Sequence, residues 1–172
     1  AGVDPMTAAT RLTATYRLQV HREFTLERAR EIVPYLARLG ISHAYTSPIL
    51  AARPGSTHGY DVADPTRVNP ELGGDAARLA LVRALREHGM GFVLDIVPNH
   101  MGTGPDNPMW EDVLTHGRGS RWAKWFDIDW EDPSADFRGK VMVPILGDRL
   151  EKVIERDELS LVRQGGTVRL AY

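Results

Sequence analysis

Apolar positions change their spacing along this chain, and each spacing predicts an element. From Thr13 to Val20, "TATYRLQV" mixes β-branched and aromatic residues and predicts a strand. Between Phe24 and Gly40, Leu26, Ala29, Val33, Leu36 and Leu39 recur every three or four residues, which predicts a helix with one apolar stripe. Thr25 stands at its N-cap and Gly40 at the position where a left-handed residue stops a helix. Pro34 lies inside the pattern and, lacking an N–H, should kink it. "ISHAYTSPIL", Ile41 to Leu50, predicts a second strand ending in a Ser-Pro turn. Ala51 to Gly74 is polar and glycine-containing and predicts a long connection, a kind that is usually functional or disordered. Asp75 to Gly89 predicts a second helix. Asp75 is its N-cap, Leu79, Val82 and Leu85 are its stripe, and Gly89 is its stop. "GFVLDIVP", Gly91 to Pro98, predicts a third strand.

Strand, helix, strand, helix, strand is the order of a parallel sheet with helical crossovers. Strands of such sheets are buried on both faces, and Val93, Leu94, Ile96 and Val97 fit that expectation. After His100 the alternation stops. A short helix is expected to begin near Asn107, and Lys140–Leu146 and Gly165–Tyr172 read as short strands. Leu150 to Gln164, between them, fits neither pattern cleanly. The change predicts a small subdomain over residues 102–172, following a βα region over residues 6–101. Ala1–Pro5 reads as an expression remnant ahead of a native Met6.

Composition narrows the function classes. With 172 residues, 42% of them hydrophobic, the chain can bury one sizeable core. The net charge is -2 and no Lys/Arg run occurs, so neither nucleic acid nor a membrane surface is an expected partner. No apolar run approaches the roughly 20 residues of a spanning helix, and no signal peptide is visible. Cysteine is absent, which fits a reducing cytoplasm. Gly-rich phosphate loops, Gly-x-Ser-x-Gly elbows and His-Glu-x-x-His motifs are also absent, and no cofactor is expected.

Candidate chemistry collects after two strands. Asp95, Asn99 and His100 cluster at the carboxyl end of the third, where functional groups of α/β barrels gather. The plain alternative is an Asp tied to backbone N–H groups and a His capping a loop. His58, Tyr60 and Asp61 lie in "HGYD", in the connection after the second strand, on the same face. A tyrosine there can offer its ring to a sugar and a histidine can donate to a hydroxyl; the alternative is a turn built on Gly59 with Tyr60 packed. Trp110, Trp122, Trp125 and Trp130 fit subdomain core better than a sugar platform. The acidic residues among them lack any recognised ligand spacing and read as a solvated face, so no metal is expected. His21, His43, His88 and His116 show no evident partners and are expected at the surface.

"LDIVPNH" resembles the first sequence region of the α-amylase superfamily of glycoside hydrolases, and "STHGYDVADPTRVNPELGG" resembles that superfamily's segment after strand two. "TYRLQ", "DNPMWEDVLTHGRGSRWAKWFDIDW" and "KVMVPILG" further resemble its glycosyl-trehalose-forming synthases. The likeness covers nearly everything from Thr13 onward. It implies an α/β fold, the N-terminal part of a (β/α)8 TIM barrel with three βα units and a subdomain inserted after strand three.

It also implies an enzyme that turns the reducing-end α-1,4 bond of a maltooligosaccharide into an α,α-1,1 bond, an intramolecular transglycosylation. The two other readings are another α-amylase-type glucan hydrolase and a non-catalytic carbohydrate-binding domain. On the resemblance, Tyr60 stacks on the sugar on the non-reducing side of the cleaved bond, and His100 hydrogen-bonds that sugar. His58 and Asp61 line the site, while Asp95 and Asn99 support it. Asn99 matches a position that binds calcium in many members, but the sequence offers it no companion ligands. The family's nucleophile, acid and stabilising aspartate follow strands four, five and seven, so no catalytic residue is placed in this chain. The chain is expected to be inactive alone, to have the rest of the enzyme as a partner chain, and to be cytoplasmic.

Overall fold

The computed structural model describes residues 11–143 and 145–172. The expected expression remnant and Met6 lie outside the described residues, as does Pro144. In chain order the elements are β1 (Thr15–Leu18), α1 (Leu26–Glu31), α2 (Val33–Arg38), β2 (His43–Thr46), β3 (Leu50–Ala52), β4 (Val62–Val68), α3 (Gly74–Glu87), β5 (Gly91–Leu94), α4 (Pro108–His116), α5 (Leu150–Glu155), β6 (Ser160–Gln164) and β7 (Thr167–Ala171). The described residues form two compact units, up to His116 and from Gly117 on.

The first unit is α/β. Strands β1, β2 and β5 form a parallel sheet in that order, with Arg17 opposite Tyr45 and Tyr45 opposite Val93. Helices α1, α2 and α3 provide its crossovers, as the alternation predicts. The single helix expected over residues 24–40 is two helices meeting at Ile32. Pro34, in the first turn of α2, has no N–H to continue the ladder, and Ile32 N–H bonds Arg30 O instead. Thr25 does cap α1, its hydroxyl accepting from Arg28 N at 3.5 Å, and Gly40 takes a left-handed φ of 83°. Leu26, Ala29, Val33 and Leu36 are fully buried, but Leu39, at the C-cap, points outward.

Two details of α3 depart from expectation. Its N-cap is Gly73 (φ 95°), while Asp75 sits in the first turn and binds Arg78 Nε at 2.6 Å. A 3₁₀ turn at Pro70–Leu72, with Asn69 Oδ1 accepting from Glu71 N, delivers the chain to that glycine and starts the helix earlier. Its buried stripe is Leu81 and Leu85, whereas Leu79 is 42% exposed. These leucines pack with Leu18, Ala44 and Ile49 under one face of the sheet.

The expected two-sided burial of the strands is not found. The sheet buries Leu18 and Ala44 on one side, while Arg17, Tyr45 and Val93 share the opposite side. Leu94 is 39% exposed and Ile96 62%. Strand β5 is an edge among the described strands, and it ends at Leu94 rather than Pro98. Residues 51–74, expected as a connection, contain the β3–β4 antiparallel pair with an irregular register. Asn107 starts α4: its Oδ1 accepts from Met109 N and Trp110 N, and its Nδ2 donates to Gly102 O at 2.8 Å. Trp110 is buried in this first unit, ahead of the other three tryptophans.

In the second unit, Trp122 and Trp125 meet edge to face with ring centres 4.7 Å apart, and Arg121 lies over Trp122. Asp132 Oδ1 caps Ser134 N, and Arg138 donates to the carbonyls of Asp132 and Pro133. Strand β7 falls where a strand is expected and pairs with β6, which the ambiguous segment supplies along with α5. The other expected strand is absent: residues 141–143 and 145–146 are irregular, because no described strand offers them a partner.

Asp64 braces β4 from within, bonding residues two and three positions further along the same strand. Its carboxylate accepts from Thr66 N (2.9 Å), Thr66 Oγ1 (2.6 Å) and Arg67 Nε (2.8 Å). Burial alone pushes its pKa up, but these bonds outweigh burial and hold it below the ordinary aspartate value. A depressed carboxylate stabilises the fold above its unfolded pKa and loses that contribution as pH falls through the folded one. Asp64→Asn should cost about 1 kcal/mol in denaturant unfolding at neutral pH. It should also flatten the acid loss of stability below about pH 4.

Candidate functional site

The polar side of the sheet carries the candidate site at the carboxyl ends of the parallel strands. Asp95 directly follows β5, and its N–H donates to Thr46 O at 3.3 Å, extending the strand pairing by one residue. Period two places its side chain on the same side as Val93, Tyr45 and Arg17. There Asp95 Oδ2 accepts from Tyr60 Oη at 2.5 Å and from Tyr45 Oη at 3.1 Å. Arg17 Nη2 in turn donates to Tyr60 Oη at 3.2 Å, and its guanidinium lies 5.6 Å from the centre of the Tyr45 ring.

Tyr60 comes from the turn between β3 and β4, and the local sequence fixes that turn. Ser56 Oγ accepts from Gly59 N at 3.1 Å and donates to Asp61 Oδ1 at 2.5 Å. His58 Nδ1 accepts from Tyr60 N at 3.0 Å, and the two rings stack with centroids 5.9 Å apart. Gly59 is required twice over: its φ is 79°, and a Cβ there would stand 2.5 Å from Pro48 O. Gln19 Nε2 donates to Thr57 O at 3.0 Å, tying the same turn to the residue just past β1.

His100 closes the other flank. Its Nε2 lies 3.1 Å from Tyr60 O and its Nδ1 3.3 Å from Asn99 Oδ1. The Tyr60 carbonyl and Asn99 Oδ1 can only accept, so either contact is a hydrogen bond when the facing ring nitrogen carries the proton. Neither ring nitrogen is left without a protein neighbour, and a hydroxyl reaching His100 must replace one of them.

The structure therefore brings His58, Tyr60, Asp61, Asp95, Asn99 and His100 together, and adds Arg17, Gln19 and Tyr45, which sequence reasoning missed. A signal for Arg17 and Gln19 existed. In "YRLQV", Arg17 and Gln19 alternate with the buried Leu18 and Val20, so the first strand already has one polar side. The remaining histidines do have partners. His43 is half-buried against Gly91 and bonds Ser42 Oγ, His21 Nδ1 accepts from Glu23 N, His88 contacts Ala84 O, and His116 pairs with Asp112. Among the described residues no group of three or more His, Cys, Asp or Glu is placed to hold a metal ion, and the Asn99 side chain faces His100.

Comparison with known proteins places this geometry in context. A profile for the α-amylase catalytic domain matches residues 26–148. A Mycobacterium tuberculosis protein described as a putative maltooligosyl trehalose synthase is 45% identical over 159 residues, covering 88% of this chain and 20% of its own length. The crystallised maltooligosyltrehalose synthase of Arthrobacter ramosus is 45% identical with a TM-score of 0.78, covering 91% of this chain and 20% of that one. An intracellular maltogenic amylase of Bacillus subtilis is 38% identical over 94 residues, 55% of this chain and 15% of its own length. The chain thus spans about a fifth of the length of the synthases it matches.

The Tyr60–Asp95 bond has a titration signature. The neighbouring carboxylate favours the neutral phenol and raises the Tyr60 pKa above 10.0, against the weaker opposing pull of Arg17. The bond's stabilisation is present below the ordinary tyrosine pKa and is lost as pH rises through the raised one. Ultraviolet titration of phenolate absorbance should show one tyrosine ionising above the ordinary range. Tyr60→Phe should remove that component.

Proposed function

The chain belongs to the α-amylase family, and from that premise we propose that it is part of a maltooligosyltrehalose synthase. Such an enzyme is an isomerase that moves the reducing-end glucose of a maltooligosaccharide from an α-1,4 to an α,α-1,1 linkage. The observation that carries the reading is the extent of the likeness. A 159-residue match to a putative synthase is longer than the first unit and must include much of the second, whereas the maltogenic amylase shares 94 residues. The greater length and identity of the synthase match favour the synthase reading over a general amylase one.

In this reading the parallel sheet is the first three βα units of a (β/α)8 barrel, and residues 102–172 belong to a subdomain inserted after its third strand. The polar side of the sheet faces the barrel's interior, and its carboxyl end faces the sugar. Tyr60 offers its ring to the sugar on the non-reducing side of the reacting bond. Asp95 holds the Tyr60 and Tyr45 hydroxyls, and His100 exchanges one protein contact for a sugar hydroxyl. His58, Asp61 and Asn99 shape the same wall.

Retaining chemistry needs a carboxylate to attack the anomeric carbon and a carboxylic acid to protonate the leaving oxygen. Both belong to parts of the relatives that this chain does not span. The departing glucose then returns through its anomeric hydroxyl, which requires that water be kept from the intermediate. The partners are a maltooligosaccharide and the remainder of the enzyme, which covers the exposed Leu94 and Ile96 beside β5. Among the described residues no helix is long and apolar enough to cross a membrane, and cytoplasmic location is part of the proposal.

The test is turnover of maltopentaose by the complete enzyme and by this chain alone. For the complete enzyme, reducing power should fall with little free sugar released; a rise would establish a hydrolase, and no turnover a binding protein. This chain alone should give no turnover. Catalysis by it would overturn the placement of the reactive carboxylates elsewhere.

A further inference from the structure

Tyr60 stands on a turn and is 36% exposed, with the His58 ring stacked against it. Its hydroxyl is held as well. A phenol has one proton to give, and the two neighbours of Tyr60 Oη are of opposite kinds. The guanidinium of Arg17 can only donate, and the Asp95 carboxylate can only accept. The chain of bonds therefore has one polarity, from Arg17 to Tyr60 to Asp95.

Asp95 anchors the phenolic oxygen from one side only. Arg17 supplies the second anchor from a different strand, and Arg17 is itself steered. Its Nη1 faces Gln19 Oε1 at 3.4 Å, and its guanidinium lies across the Tyr45 ring. Gln19 meanwhile holds Thr57 O, three residues before Tyr60. Strand β1 thus grips the turn at two points, the backbone through Gln19 and the ring through Arg17. Both hydrogen-bonded partners of Arg17 are neutral, so its bond to Tyr60 is not diverted to a carboxylate.

We propose that Arg17 is a positioning residue for sugar binding: it fixes the Tyr60 ring through the phenolic oxygen, and Lys cannot fully replace it because one ammonium cannot span Tyr60, Tyr45 and Gln19 together. This rests on the reading of Tyr60 as the sugar-stacking residue.

The experiment is a double-mutant cycle in the complete enzyme, with maltopentaose as substrate and products separated by chromatography. Arg17→Ala should raise KM on the order of tenfold, the loss expected of one charge-assisted hydrogen bond, with kcat changed less than about threefold. Arg17→Lys should recover part of the loss. In a Tyr60→Phe background, Arg17→Ala should change KM less than about twofold, because the oxygen it holds is gone. Phenolate titration gives a readout that general loosening would not produce: Arg17→Ala should move the Tyr60 ionisation further upward by removing the donor that favours the phenolate.

An equal effect of Arg17→Ala in both backgrounds, or an unmoved Tyr60 ionisation, would overturn the proposal. Should Arg17→Ala fail to fold, Arg17→Lys in the same cycle and titration decides the matter. Products of the unmodified enzyme report separately on the synthase reading. A hydrolase would release reducing sugar while leaving the Arg17–Tyr60 coupling measurable.

Discussion

One carboxylate oxygen joins three distant parts of the first unit. Asp95 Oδ2 takes hydrogen bonds from Tyr45, fifty residues earlier on β2, and from Tyr60, on the turn between β3 and β4. Asp95 can reach both because its own N–H extends the parallel pairing past the end of β5. The geometry of the polar face depends on this junction. Without it the turn would rest on Gln19, Arg17 and its internal Ser56 bonds, and His100 would lose a fixed Tyr60 carbonyl to lean on.

The junction is possible because the sheet has two unlike sides. Leu18 and Ala44 face helices α1 to α3 and pay for the ordering of the strands by burying apolar area. Their neighbours on each strand point the other way, and there the chain places a cation, two phenols and a carboxylate. A parallel sheet covered by helices on both faces could not hold those groups without desolvating them. The polar side is therefore the face that carries the candidate site, and no described helix covers it.

The fold was largely legible in the sequence because its helices bury one stripe each. Spacing and residue type located α3, all three parallel strands, and the α1–α2 stretch as one helix. The misses share a cause, which is that local pattern competes with long-range pairing. Leu79 fits a helical stripe as well as Leu81 does, and only packing against the sheet selects Leu81. "KVMVPIL" has the residues of a strand but no described partner to pair with. Residues 51–74 look like connection, yet Leu50–Ala52 and Val62–Val68 find one another.

For the site, the sequence by itself determined the chemistry at hand. The turn "HGYD" and the strand end "LDIVPNH" are local motifs, and their residue types already pointed to sugar recognition through the family they resemble. Only the tertiary structure decided which of those groups act together. Arg17 and Tyr45 are ordinary strand residues until the β1–β2–β5 register sets them side by side, and Tyr60 is a turn residue until Asp95 accepts its hydrogen bond. Hydrogen bonds between side chains tens of residues apart depend on backbone pairing that no local pattern specifies, which is why the partners of Asp95 could be read only from the fold.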